Sequence, residues 1–118
     1  MSVDNEPITV KLVKEILEKE GYKVITALSG TECLEKLEKE KVDLILLDIM
    51  MPDMSGWDVY ERIRKKDKKV KVAFLSILEV SPSRRKEMEE KGISDYITKP
   101  FSPKDLARRV KSILNKKV

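Results

Sequence analysis

The chain has 118 residues, and 25 Lys and Arg against 21 Asp and Glu give a formal charge of +4. This length suffices for one domain with its own core, and no apolar run approaches the roughly 18 residues of a membrane span. The absence of histidine excludes imidazole bases and histidine metal ligands. Cys33 is the only cysteine and no signal peptide is visible, which indicates a cytoplasmic protein without disulfides.

Charged residues make up 39% of the chain, but most lie in mixed Lys/Glu runs such as residues 35–41. Such runs are typical of solvated helix faces. The one dense basic cluster, at residues 65–69, lies between two periodic segments and is predicted to be a loop. We therefore expect no direct contact with nucleic acid and none with a membrane.

Apolar periodicity and breaker residues predict alternating helices and strands along the chain. The predicted helices begin at Pro7, Thr31, Trp57, Pro82 and Pro103, and the predicted strands cover residues 22–27, 44–47, 70–76 and 93–97. The apolar stripe of the first helix consists of Ile8, Leu12, Val13, Ile16 and Leu17. Because strands and helices alternate, we expect an α/β fold, a doubly wound parallel sheet with helices on both faces. The whole chain, 1–118, is predicted to be one domain.

Polar side chains stand where the predicted strands end. Asp4 and Asn5 precede the first helix, Asp48 follows the apolar strand, Ser76 ends the next strand, and Lys99 follows the last. In open parallel sheets, sites form at the carboxyl ends of the strands. Carboxylates at such an edge suit Mg²⁺, and a carboxylate beside Mg²⁺ can be the nucleophile of phosphoryl transfer. The transferred group needs a cation, a lysine and a hydroxyl donor to neutralise its charge.

Three stretches of the sequence together resemble the receiver domain of two-component response regulators. They are residues 3–7 (Val-Asp-Asn-Glu-Pro), residues 43–56, which contain Asp-x-x-Met-Pro-x-Met-x-Gly, and residues 92–101, which contain Asp-Tyr-x-x-Lys-Pro-Phe. The similarity runs over nearly the whole chain. It implies a flavodoxin-like fold with a five-stranded sheet.

The resemblance also implies a role for each polar residue at the strand ends. Asp48 would accept a phosphoryl group from a histidine kinase or a phosphotransfer protein, and Lys99 would contact the phosphate. Ser76 would be the switch hydroxyl and Tyr96 the switch aromatic. Mg²⁺ would be bound by four groups: Asp4, Asn5, Asp48 and the backbone carbonyl of Met50. Pro100 would follow a cis peptide bond that places the lysine.

The implied switch has a simple physical form. Phosphorylation adds about −1.5 to −2 charges at Asp48, and Ser76 moves to hydrogen-bond the new oxygens. Tyr96 then turns inward into the vacated space, which changes a face for a downstream protein target. The chain is expected to act by binding. Its only catalysis would be its own phosphoryl transfer and autodephosphorylation.

Side chains around the predicted site depart from the family pattern in three places. Asn5 stands where receivers usually have an acidic metal ligand, so Mg²⁺ affinity should be lower. Ile77 follows Ser76 where a small residue is usual, and its side chain either narrows access to Asp48 or turns away. Met50 and Leu78 occupy the positions that line the path of the hydrolytic water. Because two apolar side chains there should exclude water, we expect a long-lived phosphorylated form.

The first strand is the fourth departure, because it is truncated or atypical. Only residues 1–3 precede Asp4, and at about 3.3 Å per residue they form a stub. Three explanations stay open at this point. The chain is truncated, it recruits a strand from another copy by dimerisation or strand exchange, or it has been engineered.

Two other functions remain as alternatives. A pseudo-receiver would keep the fold and bind partners without phosphotransfer, which Asn5, Ile77 and the short first strand would favour. A Mg²⁺-dependent phosphohydrolase would use Asp48 as nucleophile and needs a second carboxylate as acid or base. Asp53 is the nearest one, but Pro52 makes its reach doubtful and no substrate-binding cap is evident.

Overall fold

The computed structural model describes residues 1–116 and shows five parallel strands between two layers of helices. Residues 117 and 118 of the predicted domain range lie outside the described part. The strands are β1 (Ser2–Val3), β2 (Thr26–Ala27), β3 (Leu44–Leu47), β4 (Lys71–Ser76) and β5 (Asp95–Thr98). The helices are α1 (Pro7–Lys19), α2 (Gly30–Lys39), α3 (Gly56–Lys66), α4 (Pro82–Glu90) and α5 (Pro103–Asn115).

The order of strands across the sheet is β2-β1-β3-β4-β5, and every neighbouring pair is parallel. The chain passes from β1 to one side and then returns to the other, so the order reverses between β1 and β3. Ligands of doubly wound sheets bind at the carboxyl ends of strands next to such a reversal. The predicted fold class is confirmed.

The buried strand β3 divides the core into two layers. Ile45 and Leu47 pack towards α2, α3 and α4, whereas Leu44 and Leu46 pack towards α1 and α5. All four are buried, as expected for a strand covered on both faces.

The buried face of α1 differs from the predicted stripe. Val13 and Leu17 face the core as predicted, but Val10 is the third buried residue of this helix. Ile8 is 83% exposed and Leu12 is also exposed. Ile8 lies in the first turn of α1, beside the carboxyl edge of the sheet, where no other element covers it.

The strand predicted at 22–27 is shorter in the structure, where β2 contains only two residues. The pairing of β2 with β1 begins at Thr26, level with Ser2. Residues 22–25 come before this level, so they have no neighbouring strand with which to form ladder hydrogen bonds. Strand pairing, rather than local propensity, therefore sets the length of β2. Smaller shifts of one or two residues affect β4 and β5.

The two-residue β1 lies between β2 and β3 and bonds to both. The amide of Ser2 donates to the carbonyl of Ile25 at 2.8 Å, and the amide of Asp48 donates to the carbonyl of Val3 at 3.0 Å. The amino group of Met1 donates to the carbonyl of Leu44 at 2.7 Å. The chain's own residues 1–3 therefore occupy the position between β2 and β3. The sequence alone had also allowed a strand from another copy there.

The Met1 amino group makes stability depend on pH between 8 and 6. Burial lowers the pKa of this amine from 8.0 to about 6. Below pH 8 the unfolded chain binds a proton that the folded chain does not, so the free energy of unfolding falls as the pH drops to 6. The total loss should be about 2–3 kcal/mol, measurable by urea unfolding between pH 5.5 and 8.5.

Few other groups complicate this measurement. The chain has no histidine, and burial raises the pKa of Cys33 to about 12. The pKa of the Asp48 carboxyl is raised by burial, so its titration would add to the measured pH dependence. Making the measurement in the Asp48→Asn variant removes this contribution. Acetylation of the Met1 amine should flatten the pH dependence; an unchanged slope would contradict its assignment to this amine.

Candidate functional site

Four polar residues named by the sequence come together at the carboxyl edge of the sheet. Asp4 follows β1, Asp48 follows β3, Ser76 ends β4 and Lys99 follows β5. Since β1, β3, β4 and β5 are consecutive neighbours, these residues form a row across the edge. The topology therefore assembles a site from positions up to 95 residues apart.

The centre of the site is the ammonium group of Lys99 between two buried carboxylates. Its Nζ lies 2.5 Å from Oδ2 of Asp4 and 3.9 Å from Oδ2 of Asp48. Asp4 is 2% exposed and Asp48 is 5% exposed. The peptide bond between Lys99 and Pro100 is cis, as the resemblance implied.

Negative charge exceeds positive charge in this pocket. Burial, followed by the neighbouring charge of Asp4, raises the pKa of Asp48 above its ordinary value, and Lys99 only partly opposes this. The backbone amide of Met50 also donates to Oδ1 of Asp48 at 3.3 Å. The site therefore favours the arrival of a further cation.

Oxygen atoms dominate the possible metal ligands. Within residues 1–116, no group of three acidic, His or Cys side chains forms a metal cluster. A cation at Asp4 and Asp48 must therefore take its other ligands from amide or carbonyl oxygens and water. Such a mixed oxygen set, with only two carboxylates, fits Mg²⁺, which usually keeps several waters.

Ser76 and Tyr96 meet next to this centre. The amide of Lys99 donates to the carbonyl of Ser76 at 2.9 Å, and Oγ of Ser76 accepts from the amide of Leu78 at 3.3 Å. The hydroxyl of Tyr96 donates to the carbonyl of Leu78 at 2.5 Å. Burial raises the pKa of Tyr96, whose ring is turned inward in this structure. Its role as a switch stays a prediction.

The residues that depart from the family pattern lie around the mouth of the site. Asn5 is exposed. Ile77 is 64% exposed, so its side chain turns to solvent and does not fill the pocket. Met50 and Leu78 are both exposed, by 53% and 39%. Their effect on hydrolysis stays a prediction.

Asp53 has a structural role that the sequence did not suggest. Its carboxylate accepts from the amide of Gly30 at 3.2 Å and from the amide and hydroxyl of Thr31 at 3.0 and 2.9 Å. Burial tends to raise the pKa of Asp53, but these hydrogen bonds outweigh it and lower the pKa. The loop after Asp48 is thereby anchored to the amino end of α2. A residue with a lowered pKa, already bonded, is poorly suited to act as a general acid.

Comparison with known proteins gives a consistent picture. The response regulator receiver domain family matches residues 1–111. The alkaline phosphatase synthesis transcriptional regulatory protein PhoP of Bacillus subtilis is 40% identical over 97% of this chain, but the match covers 47% of that protein. The chain thus spans about half the length of the curated relatives it matches.

Solved structures agree with the sequence comparison. A CheY-like receiver domain protein of Methanospirillum hungatei has a TM-score of 0.86 and 33% identity, covering 97% of this chain and 90% of the other. The response regulator TrrA of Thermotoga maritima, solved with Mg²⁺ and BeF, has a TM-score of 0.81 and 37% identity over 95% of both chains.

The fold and the edge site define a signalling module of the α/β class. The chain belongs to the response regulator receiver domain family, whose members accept a phosphoryl group on an aspartate. Members of this family are generally not enzymes in their own right. Among the described residues, no helix combines the length and the apolar character needed to cross a membrane.

Gly56 sets how closely α3 approaches the loop after β3. A Cβ built at Gly56 would stand 2.5 Å from the carbonyl oxygen of Asp48 and 2.7 Å from Cα of Ile49. Both are backbone atoms, so they cannot swing aside. We expect Gly56→Ala to lower the free energy of unfolding by about 2 kcal/mol or more, measured by urea titration. Glu61→Ala, exposed on the same helix, is the control and should change stability by less than about 0.5 kcal/mol.

Proposed function

We propose that Asp48 accepts a phosphoryl group from the phosphohistidine of a partner kinase or phosphotransfer protein in the cytoplasm. The observation that carries this proposal is the Lys99 ammonium, which lies 2.5 Å from Asp4 and 3.9 Å from Asp48 at the switch point of the sheet. The arrangement places one fixed positive charge beside the oxygen that would become bonded to phosphorus.

The transfer would replace one bond to phosphorus with another. An oxygen of Asp48 forms an O–P bond as the P–N bond of the donor breaks, and the imidazole leaves with the electron pair of that bond. Lys99 would stabilise charge on the transferred oxygens, and the hydroxyl of Ser76 would donate to one of them. Mg²⁺, when bound, would neutralise further charge there. Its ligands would be Asp4, Asp48, the side-chain oxygen of Asn5 and the carbonyl of Met50.

The response to phosphorylation would pass through Leu78. In the structure its amide donates to Ser76 and its carbonyl accepts from Tyr96. If Ser76 turns to the phosphoryl group, the amide of Leu78 loses its partner, and the segment that also holds the Tyr96 hydroxyl must adjust. The β4–α4 segment would thus report the state of Asp48 to a downstream protein.

Exposed apolar side chains around the site support a protein as the phosphoryl donor. Of the large hydrophobic residues that are exposed in the described chain, five lie in the first turn of α1 or in a loop after β2, β3 or β4, and the sixth, Leu12, lies further along α1. They are Ile8, Leu12, Leu28, Met50, Ile77 and Leu78. Apolar patches grouped in this way mark interaction surfaces, whereas a phosphorylated small molecule would need little of this area.

We propose residues 1–118 as a single receiver domain. The relatives are named as transcriptional regulators, and this chain matches less than half of each. Their action on transcription is therefore not assigned to these residues. What this chain would supply is the phosphorylation-dependent surface.

A pseudo-receiver is the second candidate function, and the exposed Asn5 is the observation that favours it. An amide oxygen carries no net charge, so Mg²⁺ would be held less tightly than by an acidic residue. A hydrolase is less well supported, because Asp53 is engaged by α2.

The first test is phosphorylation by a small donor. We expect purified protein incubated with acetyl phosphate and Mg²⁺ to gain one phosphoryl group by mass spectrometry. Asp48→Asn should abolish the adduct because it removes the nucleophilic oxygen, whereas Asp58→Asn, on the exposed face of α3, should leave it intact. The absence of an adduct on the unmodified protein would support the pseudo-receiver instead. Continuous release of phosphate from many phosphomonoesters would support a hydrolase.

The second test measures how much the amide side chain of Asn5 lowers the affinity for Mg²⁺ relative to a carboxylate. Asn5→Asp should raise the affinity for Mg²⁺ by about tenfold, because an added carboxylate increases the charge that faces the ion. Isothermal titration with MgCl₂ would measure it. The chain's other asparagine offers a matched control, since Asn115→Asp makes the same chemical change on an exposed residue of α5. Equal affinities in all three proteins would show that residue 5 does not face the metal.

A further inference from the structure

The loop between β3 and α3, residues 48–55, is held on both sides of Met50. Before Met50, the carbonyl of Ile49 accepts from the amide of Gly56 at 2.8 Å. After it, the side chain of Met51 is buried in the core. Met50 itself is exposed, so packing of its own side chain does not fix it. The orientation of its carbonyl therefore depends on how its neighbours in the chain are held.

Asp53 is a further fixed point of this loop. Its Oδ1 accepts from the amide of Gly30 at 3.2 Å, and its Oδ2 accepts from the amide and the hydroxyl of Thr31 at 3.0 and 2.9 Å. Because each oxygen has its own donor, the carboxylate cannot rotate without losing a hydrogen bond. Only two residues separate Asp53 from Met50, and one of them is Pro52, whose φ is restricted by its ring. Freedom lost at Asp53 is therefore also lost at Met50.

The start of α2 is suited to hold a carboxylate. The first amides of a helix have no acceptor within the helix. The hydroxyl of Ser29 accepts from the amide of Glu32 at 3.0 Å, which leaves the amides of Gly30 and Thr31 to Asp53. The dipole of the helix also favours a negative charge at this end. The contact is therefore favourable for both segments.

α2 is itself firmly placed against the sheet. Cys33 in its second turn is fully buried in the core. The first turn lies directly on the loop, since a Cβ built at Gly30 would stand 3.1 Å from Cβ of Met54. The bonds of Asp53 therefore connect the loop to a fixed element.

We propose that Asp53 is a positioning residue for Mg²⁺, to which it is not itself a ligand. Its bonds to α2 would hold the loop in the conformation in which the carbonyl of Met50 can bind the ion. This inference rests on the proposed function, because it takes Mg²⁺ to bind at Asp48 with that carbonyl among its ligands. Residues that orient a metal ligand typically change metal affinity by about 10–100-fold when they are replaced.

Asp67 offers a matched control at the opposite edge of the sheet. Its Oδ1 accepts from the amides of Lys69 and Val70 at 2.8 and 3.1 Å, so it also fixes a loop, the one between α3 and β4. That loop precedes β4, whereas the candidate site lies where the strands end. Asp67→Ala therefore removes the same kind of side chain and the same kind of bond without touching the loop of Met50.

The first measurement is the affinity for Mg²⁺, obtained by isothermal titration at constant ionic strength. Asp53→Ala should weaken binding about tenfold, whereas Asp67→Ala should leave it unchanged. Thermal unfolding would show that both variants fold. A contact that serves stability alone would lower the unfolding temperature and leave the affinity as it is, and that result would overturn the proposal.

Variants of Thr31 separate the position of Asp53 from its charge, which Asp53→Ala also removes. Thr31→Val deletes the hydroxyl donor but keeps the carboxylate, and it should weaken Mg²⁺ binding about threefold. Thr31→Ser keeps the hydroxyl and should restore the original affinity. If Thr31→Val binds Mg²⁺ as tightly as the unmodified chain, Asp53 acts through its charge and the positioning role is wrong.

Amide hydrogen exchange tests the loop without any metal. The bond from the amide of Gly56 to the carbonyl of Ile49 closes the loop that contains Met50. In metal-free protein this amide should exchange about tenfold faster in Asp53→Ala and at the original rate in Asp67→Ala. Exchange that is equally slow in all three proteins would show that Asp53 does not hold the loop.

The unmodified protein separates failure of this inference from failure of the proposed function. If it binds no Mg²⁺, the metal-dependent phosphotransfer proposed for Asp48 fails, and the positioning role fails with it. If it binds Mg²⁺ and accepts a phosphoryl group while Asp53→Ala binds the ion equally well, only the positioning role is overturned.

Discussion

One ammonium group facing two buried carboxylates is the constraint on which the carboxyl edge of this protein depends. A buried carboxylate without a partner is costly, and Asp4 and Asp48 share Lys99. The contact between Asp4 and Lys99 also connects the first strand to the last across β3 and β4. Removing Lys99 would therefore leave the charges of Asp4 and Asp48 uncompensated. It would also remove the contact that joins the end of β1 to the end of β5.

The same arrangement bears on the proposed phosphorylation of Asp48. The pKa of Asp48 is raised by burial and by Asp4, so the folded protein holds more negative charge there than Lys99 can balance. A divalent cation would relieve this excess, and a phosphoryl group would restore it. The neighbouring contacts of Leu78 with Ser76 and Tyr96 are single hydrogen bonds, each of modest net strength. Their exchange on the proposed phosphorylation of Asp48 would therefore cost little free energy.

The sequence predicted the parts of the fold that depend on local pattern. The apolar run at residues 44–47 forms a buried strand as predicted, and α5 begins at Pro103 as predicted. The strand-end rule brought Asp4, Asp48, Ser76 and Lys99 together. Features set by distant pairing were missed. The length of β2 depends on where β1 begins, and the bonds from Asp53 to Gly30 and Thr31 join segments 22 and 23 residues apart. The first backbone amides of a helix have no acceptor within the helix. At the start of α2 this need was the local signal for a remote carboxylate.

The unequal pairing along the sheet has a mechanical consequence. β3, β4 and β5 are joined by four residue pairs at each interface, whereas β1 is joined to β2 and to β3 by two. Asp48, Ser76 and Lys99 therefore stand on the stiffer part of the sheet, while β2 forms a compliant flank. Thermal motion would be concentrated on that flank and would leave the distances among these three side chains little disturbed.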